Sequence, residues 1–434
     1  MAWSGAKVNG RRAAIVGGLR TPFVKSGGAY RSMSALDLAK AVVNEMMQRL
    51  DLDGSEVDQI VYGQVVPSTE APNIAREIIL GTGLPREIEG YSVSRACITG
   101  AQALVNASQA ILLGDSDVAI CGGADSLSRP PITYSDRFID VLMKANRAKD
   151  PLSKAKAFLD VKPKDLLPKP PALREISTGL TMGQSAEKMA KENGIDREEQ
   201  DAFALRSHKK ATEGWEKGVF AEEVMHLPVP PKYKEVVDKD NLVRPDTTLE
   251  KLAGLRPSFD KAHGTVTPGN SSPLTDGASA LVVMSEEKAK ALGYEPLAFI
   301  KSWAFSALDP AWQLLMGPSF ATPKALDKAG MKLSDLDLID MHEAFSSQML
   351  SNMQAFSSKE WAKTWLNRDE AIGEIAEEKL NIYGGSISLG HPFAATGARQ
   401  ALTMARELQR RGGGTALITQ CAAGGLGGAV ILER

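Results

Sequence analysis

The feature that most constrains this chain is an internal duplication. Ser55-Glu56-Val57-Asp58-Gln59-Ile60 resembles Ser334-Asp335-Leu336-Asp337-Leu338-Ile339, and each follows a short helix and opens a strand. Both halves then run in the order strand, reactive turn, helix, strand, Gly-Gly. In the first half Ala101, Leu104, Val105, Ile111 and Leu112, with the small Ser108 among them, recur every three or four residues. That is the period of a helix with one apolar face, and Gly114 is placed to stop it. Val118-Ala119-Ile120-Cys121 then reads as a short buried strand ending at Gly122-Gly123. In the second half Ala401, Met404, Ala405 and Leu408 make the same face, Arg410 and Arg411 suit the negative helix end, and Gly412-Gly413-Gly414 ends it. Ala416-Leu417-Ile418-Thr419 leads into Cys421 and Gly424-Gly425. Strands alternating with helices predict an α/β fold of mixed or parallel sheets covered by helices. The repeat predicts a pseudo-two-fold pair of such units, with ligands at the carboxyl ends of the strands.

At 434 residues the chain exceeds a single core. Residues 129–254 break the rhythm and read as an inserted loop or cap domain. Residues 1–128 with 255–290 then form the first half, and 291–434 the second. Within the insertion, Lys162-Pro163-Lys164 and Pro168-Lys169-Pro170-Pro171 argue against regular helix. Residues 129–175 hold 11 Lys/Arg against 6 Asp/Glu, a net of +5, while the whole chain carries −2. The overall charge gives no reason to expect nucleic-acid binding. Three cysteines make no disulfide framework and suit a reducing compartment. No apolar run approaches the roughly 18 residues of a bilayer span, and Met1-Ala2-Trp3-Ser4 begins no signal-peptide core. A soluble, cytoplasmic protein is the expectation.

Three distant turns carry the chemistry: Ser94-Arg95-Ala96-Cys97-Ile98-Thr99-Gly100, Gly390-His391-Pro392, and Cys421-Ala422-Ala423-Gly424-Gly425. Each is expected where a hydrophobic strand meets a tight turn, the first two also opening a helix. At a helix amino end, free N–H groups and the positive dipole favour a thiolate, so the Cys97 thiol is expected below its ordinary range. A buried structural cysteine is the commoner fate of a lone Cys; the small neighbours Ala96 and Gly100 favour a nucleophile. His391, held between Gly390 and Pro392, suits its base and an oxyanion donor. Cys421 is followed by small residues that allow close backbone approach, and a second thiol suits a proton carrier. Gly425-Leu426-Gly427-Gly428 precedes a closing strand, Ala429-Val430-Ile431-Leu432, so it is no dinucleotide fingerprint. Cys121 reads as a small buried residue, and His208 and His226 receive no role. Five scattered histidines without a close ligand cluster predict no metal site.

These residues spell a family. The chain resembles the thiolases over nearly its whole length, through Arg20-Thr21-Pro22-Phe23, Ser94-Arg95-Ala96-Cys97, Gly122-Gly123-Ala124-Asp125-Ser126, Gly264-Thr265-Val266-Thr267 with Asn270 and Ser272, Asp276-Gly277-Ala278, His342-Glu343-Ala344-Phe345, Gly390-His391-Pro392 and Cys421. Ala71-Pro72-Asn73-Ile74-Ala75-Arg76 and His342-Glu343-Ala344-Phe345-Ser346 are similar to the 3-ketoacyl-CoA thiolase subunit of fatty-acid oxidation trifunctional complexes. The resemblance implies duplicated αβαβα halves with mixed five-stranded sheets and an inserted loop domain. Two departures stand out: His342 replaces the family's common Asn, and Ala423 a common Gly.

The implied activity is thiolysis of 3-ketoacyl-CoA by CoA, a co-substrate, with no permanently bound cofactor. Cys97 is the implied acyl nucleophile and His391 its base. Cys421 is the implied proton carrier and His342 the enolate-side donor, directly or through water. The Ala423 backbone N–H is an implied oxyanion donor. Ser272 resembles the family's CoA-contacting serine, and Met182-Gly183-Gln184-Ser185-Ala186-Glu187 its segment near the pantetheine. At least a dimer is implied, inside a hetero-oligomer with a hydratase/3-hydroxyacyl-CoA dehydrogenase subunit. The basic stretch 129–175, with Phe138, Ile139, Val141, Leu142 and Met143 interleaved, reads equally as a CoA-phosphate cap, a docking face for a partner subunit or anionic membrane, or a solvated basic surface. Condensing β-ketoacyl synthases lack a cysteine proton carrier, so Cys421 argues against them. A biosynthetic acetoacetyl-CoA thiolase is the nearer rival, and a non-catalytic scaffold or lipid-binding subunit needs none of the three reactive residues.

Overall fold

The computed structural model describes residues 10–169 and 174–434. Met1 to Ser4 and the Pro170-Pro171 pair fall outside these residues. Among the described residues nine strands make up the main sheet: β1 (Ala13–Arg20), β2 (Gln59–Gly63), β3 (Glu89–Val93), β4 (Val118–Asp125), β5 (Thr275–Ser285), β6 (Ala298–Ala307), β7 (Leu338–Met341), β8 (Thr415–Ala422) and β9 (Leu426–Glu433). Their order is β7-β8-β9-β6-β1-β5-β4-β2-β3, with Val24–Lys25 as a short arm on β5. The repeat is explicit in this order. From the centre outward, the first half runs β1, β5, β4, β2, β3, and the second β6, β9, β8, β7. The fifth position of the second half is a single parallel bridge, Ile339 to Leu380. In each half the outer pairs are parallel and the inner ones antiparallel. The equivalent strands β1 and β6 join the halves through two antiparallel pairs, Ala14–Phe299 and Ile15–Ala298.

The principal helices are α1 (Ala35–Leu50), α2 (Thr99–Leu113), α3 (Asp136–Arg147), α4 (Met182–Glu192), α5 (Arg197–Glu216), α6 (Gly317–Ala329), α7 (Ser346–Ser357) and α8 (Ala395–Arg410). Helix α1 starts at a reciprocal cap between Ser34 and Asp37 and lays Leu38, Val42, Val43 and Met46 on the first sheet. Helix α6 covers the second sheet with Ala321, Ala325 and Leu326. Between the sheets lie α2 and α8, whose apolar faces form one core with Ile15, Cys121, Leu281, Ile418 and Val430. The molecule is thus layered helix, sheet, helix, sheet, helix.

Glycines set the closeness of the central layer. A Cβ on Gly100 would stand 2.5 Å from the Ala394 carbonyl oxygen, and one on Gly397 only 2.4 Å from the Ala101 nitrogen. The two helices therefore cross backbone to backbone, which brings the turns before them together. The same demand explains why β4 runs on through Gly122 and Gly123 to Asp125 instead of stopping there. At Gly122 a Cβ would come within 2.1 Å of the Ser279 oxygen.

The segment 129–254 carries α3, Pro151–Lys156, α4, α5 and Leu249–Ala253, while the described part of its proline cluster, 162–169, holds no α-helix, as expected. Pro163 opens a short 3-10 turn, Pro163–Leu166, where a missing N–H costs nothing. Helix α5 lends Phe203 and Ala204 to the second-half core. The stretch Ala96–Leu113 is long and apolar enough to cross a bilayer, contrary to expectation; it is 61% buried, mostly as the central helix α2.

Candidate active site

Cys97 sits in the turn from β3 to α2. Ala96 before it takes φ +46, a left-handed conformation costly for a side chain with a Cβ. Thr99 braces this turn: its hydroxyl donates to the Ala96 carbonyl at 2.7 Å and accepts the Arg95 N–H at 2.8 Å. The Cys97 carbonyl accepts from the Gln420 side chain at 3.1 Å, which ties the turn to β8 one residue before Cys421. Cys97 remains partly exposed, while Cys421 is buried within β8. The Ala423 backbone N–H donates to the Cys97 sulfur.

His391 follows a one-turn helix, Ser386–Leu389, and Gly390 at φ +101, so it does not end a strand as expected. Its N–H donates to Thr275 Oγ1 at 3.0 Å, and it makes a lone bridge with Leu274. Its Nδ1 bonds Thr396 Oγ1 at 2.7 Å. His342 directly follows β7, is fully buried, and bonds Ser386 Oγ through Nδ1 at 2.8 Å. The two imidazole rings lie 4.1 Å apart, and both Nε2 atoms are buried without a partner. Ligand-type atoms of Cys97, His342 and His391 all lie within 4.8 Å of one another. The expectation of no close cluster is therefore wrong in space: residues spread over nearly 300 positions meet at one point.

Electrostatics reverse another expectation. The amino end of α2 is near Cys97, yet the protein packed around its sulfur, although the residue keeps some exposed surface, outweighs it and pushes the thiol up to about 12; the Ala423 N–H opposes this only in part. Burial also raises the Cys421 thiol, helped by the neighbouring Cys97. Burial, with the Arg399 charge, lowers His391 to about 3, and burial, His391 and Arg399 lower His342 well below its ordinary range. Burial thus favours the neutral form of all four groups. A nucleophilic thiolate has to be made by passing a proton inside the cluster as it attacks.

Buried carboxylates hold the frame. Asp125 accepts N–H groups from Val65, Val66 and Ala394, tying the end of β4 to the entry of α8. Glu343 accepts from Ser207, Asn381 and Ile387. Arg399 of α8 pairs with Asp340 of β7 at 2.6 Å, so the two histidine-bearing segments are joined by a buried ion pair. Asp125 entered the sequence reading only within Gly122-Gly123-Ala124-Asp125-Ser126, and Ser386, Thr396 and Arg399 not at all. Only Thr396 left a local signal, a hydroxyl one turn beyond His391.

The remaining candidates fall at varying removes. Met182 opens α4 and packs on the cluster that contains Cys421, Val266 and Phe345. The Ser272 N–H donates to the Ala344 carbonyl, two residues beyond His342. Cys121 is fully buried in the central core. His208 is buried and accepts the Arg244 N–H.

Comparison with known proteins gives a family. Residues 13–287 match the thiolase N-terminal domain and residues 294–434 the thiolase C-terminal domain. A 3-ketoacyl-CoA thiolase of Shewanella halifaxensis is 55% identical over 424 residues, covering 98% of this chain and 97% of that protein. One from Pseudoalteromonas translucida is 54% identical over the same length. Among solved structures, human mitochondrial 3-ketoacyl-CoA thiolase in complex with CoA superposes with a TM-score of 0.82 at 30% identity, covering 100% of both chains. The Bacillus anthracis acetyl-CoA acetyltransferase superposes with a TM-score of 0.83 at 33% identity, covering 98% of each.

Proposed function

The chain belongs to the thiolase family of acyltransferases, and from that premise we propose that it cleaves 3-ketoacyl-CoA with CoA, giving acetyl-CoA and an acyl-CoA two carbons shorter. The observation that carries the site assignment is the convergence of the Cys97 sulfur with two imidazoles whose Nε2 atoms are unpartnered, beside a second thiol.

Attack begins as the Cys97 proton passes to His391 Nε2 and the sulfur adds to the keto carbon. His391 receives it with Nδ1–H donated to Thr396, the tautomer that leaves Nε2 a lone pair. His342 has the opposite need. To donate toward the enolate oxygen its Nε2 carries the proton, and Nδ1 accepts from the Ser386 hydroxyl. Two hydroxyl partners permit this division, since a hydroxyl serves as donor or acceptor. The carbon–carbon bond breaks, and Cys421 protonates the departing acetyl-CoA enolate. Cys421 next takes the proton of incoming CoA, whose thiolate releases the acyl group from Cys97. The backbone N–H groups of Cys97 and Ala423 hold the acyl oxygen; one such donor is typically worth about 10²–10³ in rate. Ala423 in place of the common glycine keeps that N–H.

CoA contacts through Ser272 and Met182, the division into two halves and an insertion, and assembly as at least a dimer within a hetero-oligomer belong to the same proposal. The partly exposed edge β3 supports the dimer. Helix α3, with Ile139, Leu142 and Met143 exposed, supports a docking role for 129–175. A cytoplasmic location is part of the reading too.

The test is mass spectrometry after mixing with 3-ketoacyl-CoA. The native chain should gain an acyl group, Cys97→Ala none, and Cys421→Ser should acylate but turn over poorly. An adduct retained in Cys97→Ala would overturn the nucleophile, and normal turnover of Cys421→Ser would remove it from the mechanism.

A further inference from the structure

We infer that the Cys97, His342 and His391 cluster is also a binding site for a thiophilic divalent cation of the Zn2+ class, which holds the enzyme in a reversible inactive state by occupying the nucleophile. This rests on the site assignment above, but its test does not need turnover.

Three observations support it. Ligand-type atoms of a thiol and two imidazoles lie within 4.8 Å of one another. Zn2+ takes thiolate sulfur at about 2.3 Å and imidazole nitrogen at about 2.0–2.1 Å, so tetrahedral ligand atoms stand roughly 3.3–3.6 Å apart. The widest separation has to contract by about 1.2–1.5 Å to meet that geometry. Second, both Nε2 atoms are buried without a hydrogen-bond partner among the described residues, so neither has to give up a protein bond to face a metal. Third, each Nδ1 is held by a hydroxyl, Thr396 for His391 and Ser386 for His342. Such outer partners orient metal-bound imidazoles and set their tautomer. For metal binding both rings place the proton on Nδ1. His391 already needs that form for catalysis, and His342 reaches it by losing the Nε2 proton to solvent and taking one on Nδ1, the Ser386 hydroxyl turning to accept it.

The chemistry balances simply. The metal forms one Zn–S bond and two Zn–N bonds, the Cys97 S–H bond breaks, and one proton leaves to solvent. No oxidant or reductant is involved. Three protein ligands leave a fourth position for water. Burial that disfavours a free thiolate and an imidazolium does not oppose this state: the imidazoles stay neutral, and the metal supplies the charge the thiolate otherwise lacks. Hard Mg2+, which prefers six oxygen ligands, does not fit a site of sulfur and nitrogen.

The experiment titrates the purified full chain with Zn2+, following acyl-enzyme formation and bound metal together, with Co2+ as a spectroscopic probe. One equivalent of Zn2+ should abolish acylation, a chelator should restore it, and Mg2+ should do neither. Co2+ should show a thiolate charge-transfer band and tetrahedral visible absorption. Cys97→Ser should lose the charge-transfer band and weaken binding by more than the roughly 10–100-fold that loss of a supporting group costs. Cys121→Ala, altered only in the core, should keep both. Undiminished Zn2+ affinity in a folded Cys97→Ser chain would overturn the inference. So would full acylation at saturating Zn2+, or a Co2+ spectrum without thiolate ligation. A chain that fails to acylate even without metal would instead count against the thiolase assignment.

Discussion

Thr396 is the residue through which the proposed proton transfer is most directly tested. Its hydroxyl is bonded to His391 Nδ1 at 2.7 Å, and the imidazole around it is buried. Thr396→Val keeps the shape and removes the hydroxyl. His391 is then left with a buried, unpaired Nδ1–H when it becomes an imidazolium in the acylation transition state. An unsatisfied buried group of this kind costs about 1–3 kcal/mol, which corresponds to roughly 5- to 150-fold in rate. The loss applies where His391 is charged, so kcat and kcat/KM should fall together while KM holds. Thr396→Ser keeps the hydroxyl and should recover most of the rate. The assay is CoA-dependent loss of 3-ketoacyl-CoA absorbance, with a melting curve beside it to exclude unfolding. A Thr396→Val chain within about twofold of the native rate would show that the proton does not pass through an imidazole oriented by this bond.

Three further outcomes follow from the frame around the site. Gly100→Ala places a Cβ 2.5 Å from the Ala394 oxygen at the helix crossing. It should lower stability by about 1–3 kcal/mol and slow acylation as the two turns part; an unchanged melting temperature would show that the crossing yields freely. Asp125 is pushed by burial up to about 7 from an ordinary 3.8. The folded chain holds that proton more tightly than the unfolded one, so its contribution to stability is complete below about pH 4 and is lost as pH rises through about 7. In urea unfolding, Asp125→Asn should flatten this part of the profile, whereas an unaltered slope would mean the carboxyl is ionised throughout. His391, lowered to about 3, acts with the opposite sign: its contribution is complete above about pH 6.5 and is lost as pH falls toward 3. His391→Asn should therefore flatten the acid limb of the same urea profile, and an unchanged limb would place that titration elsewhere.

What sequence made legible was whatever has a local period or a local stop. The faces of α2 and α8 repeat at helical spacing and end at Gly114 and Gly412, so both helices were readable, and with them the two turns they open. The duplicated hexapeptides announced β2 and β7, which do occupy equivalent places in the two halves. Contacts without a period were silent. Ser386 reaches His342 across 44 residues, and Asp125 reaches Ala394 across 269. Neither leaves a trace in its own neighbourhood. In the insertion the prolines of 162–169 exclude α-helix only where they stand, and α3, α4 and α5 form outside them. The error over Cys97 has a different origin. A helix amino end is a local property and is visible in the sequence, whereas desolvation is a sum over everything packed around a sulfur. With two sheets and two central helices closing over the site, the sum exceeds the local term.

That excess has a chemical consequence. A standing thiolate at Cys97 would react with adventitious electrophiles at all times. A thiol raised to about 12 beside an imidazole lowered to about 3 is a weak nucleophile until a substrate carbonyl arrives to take up the charge. On this reasoning the glycine crossing of α2 and α8 does more than hold two turns at reaction distance. It also packs protein around the Cys97 sulfur, the burial that raises its thiol, so widening the crossing should cost selectivity for substrate as well as speed.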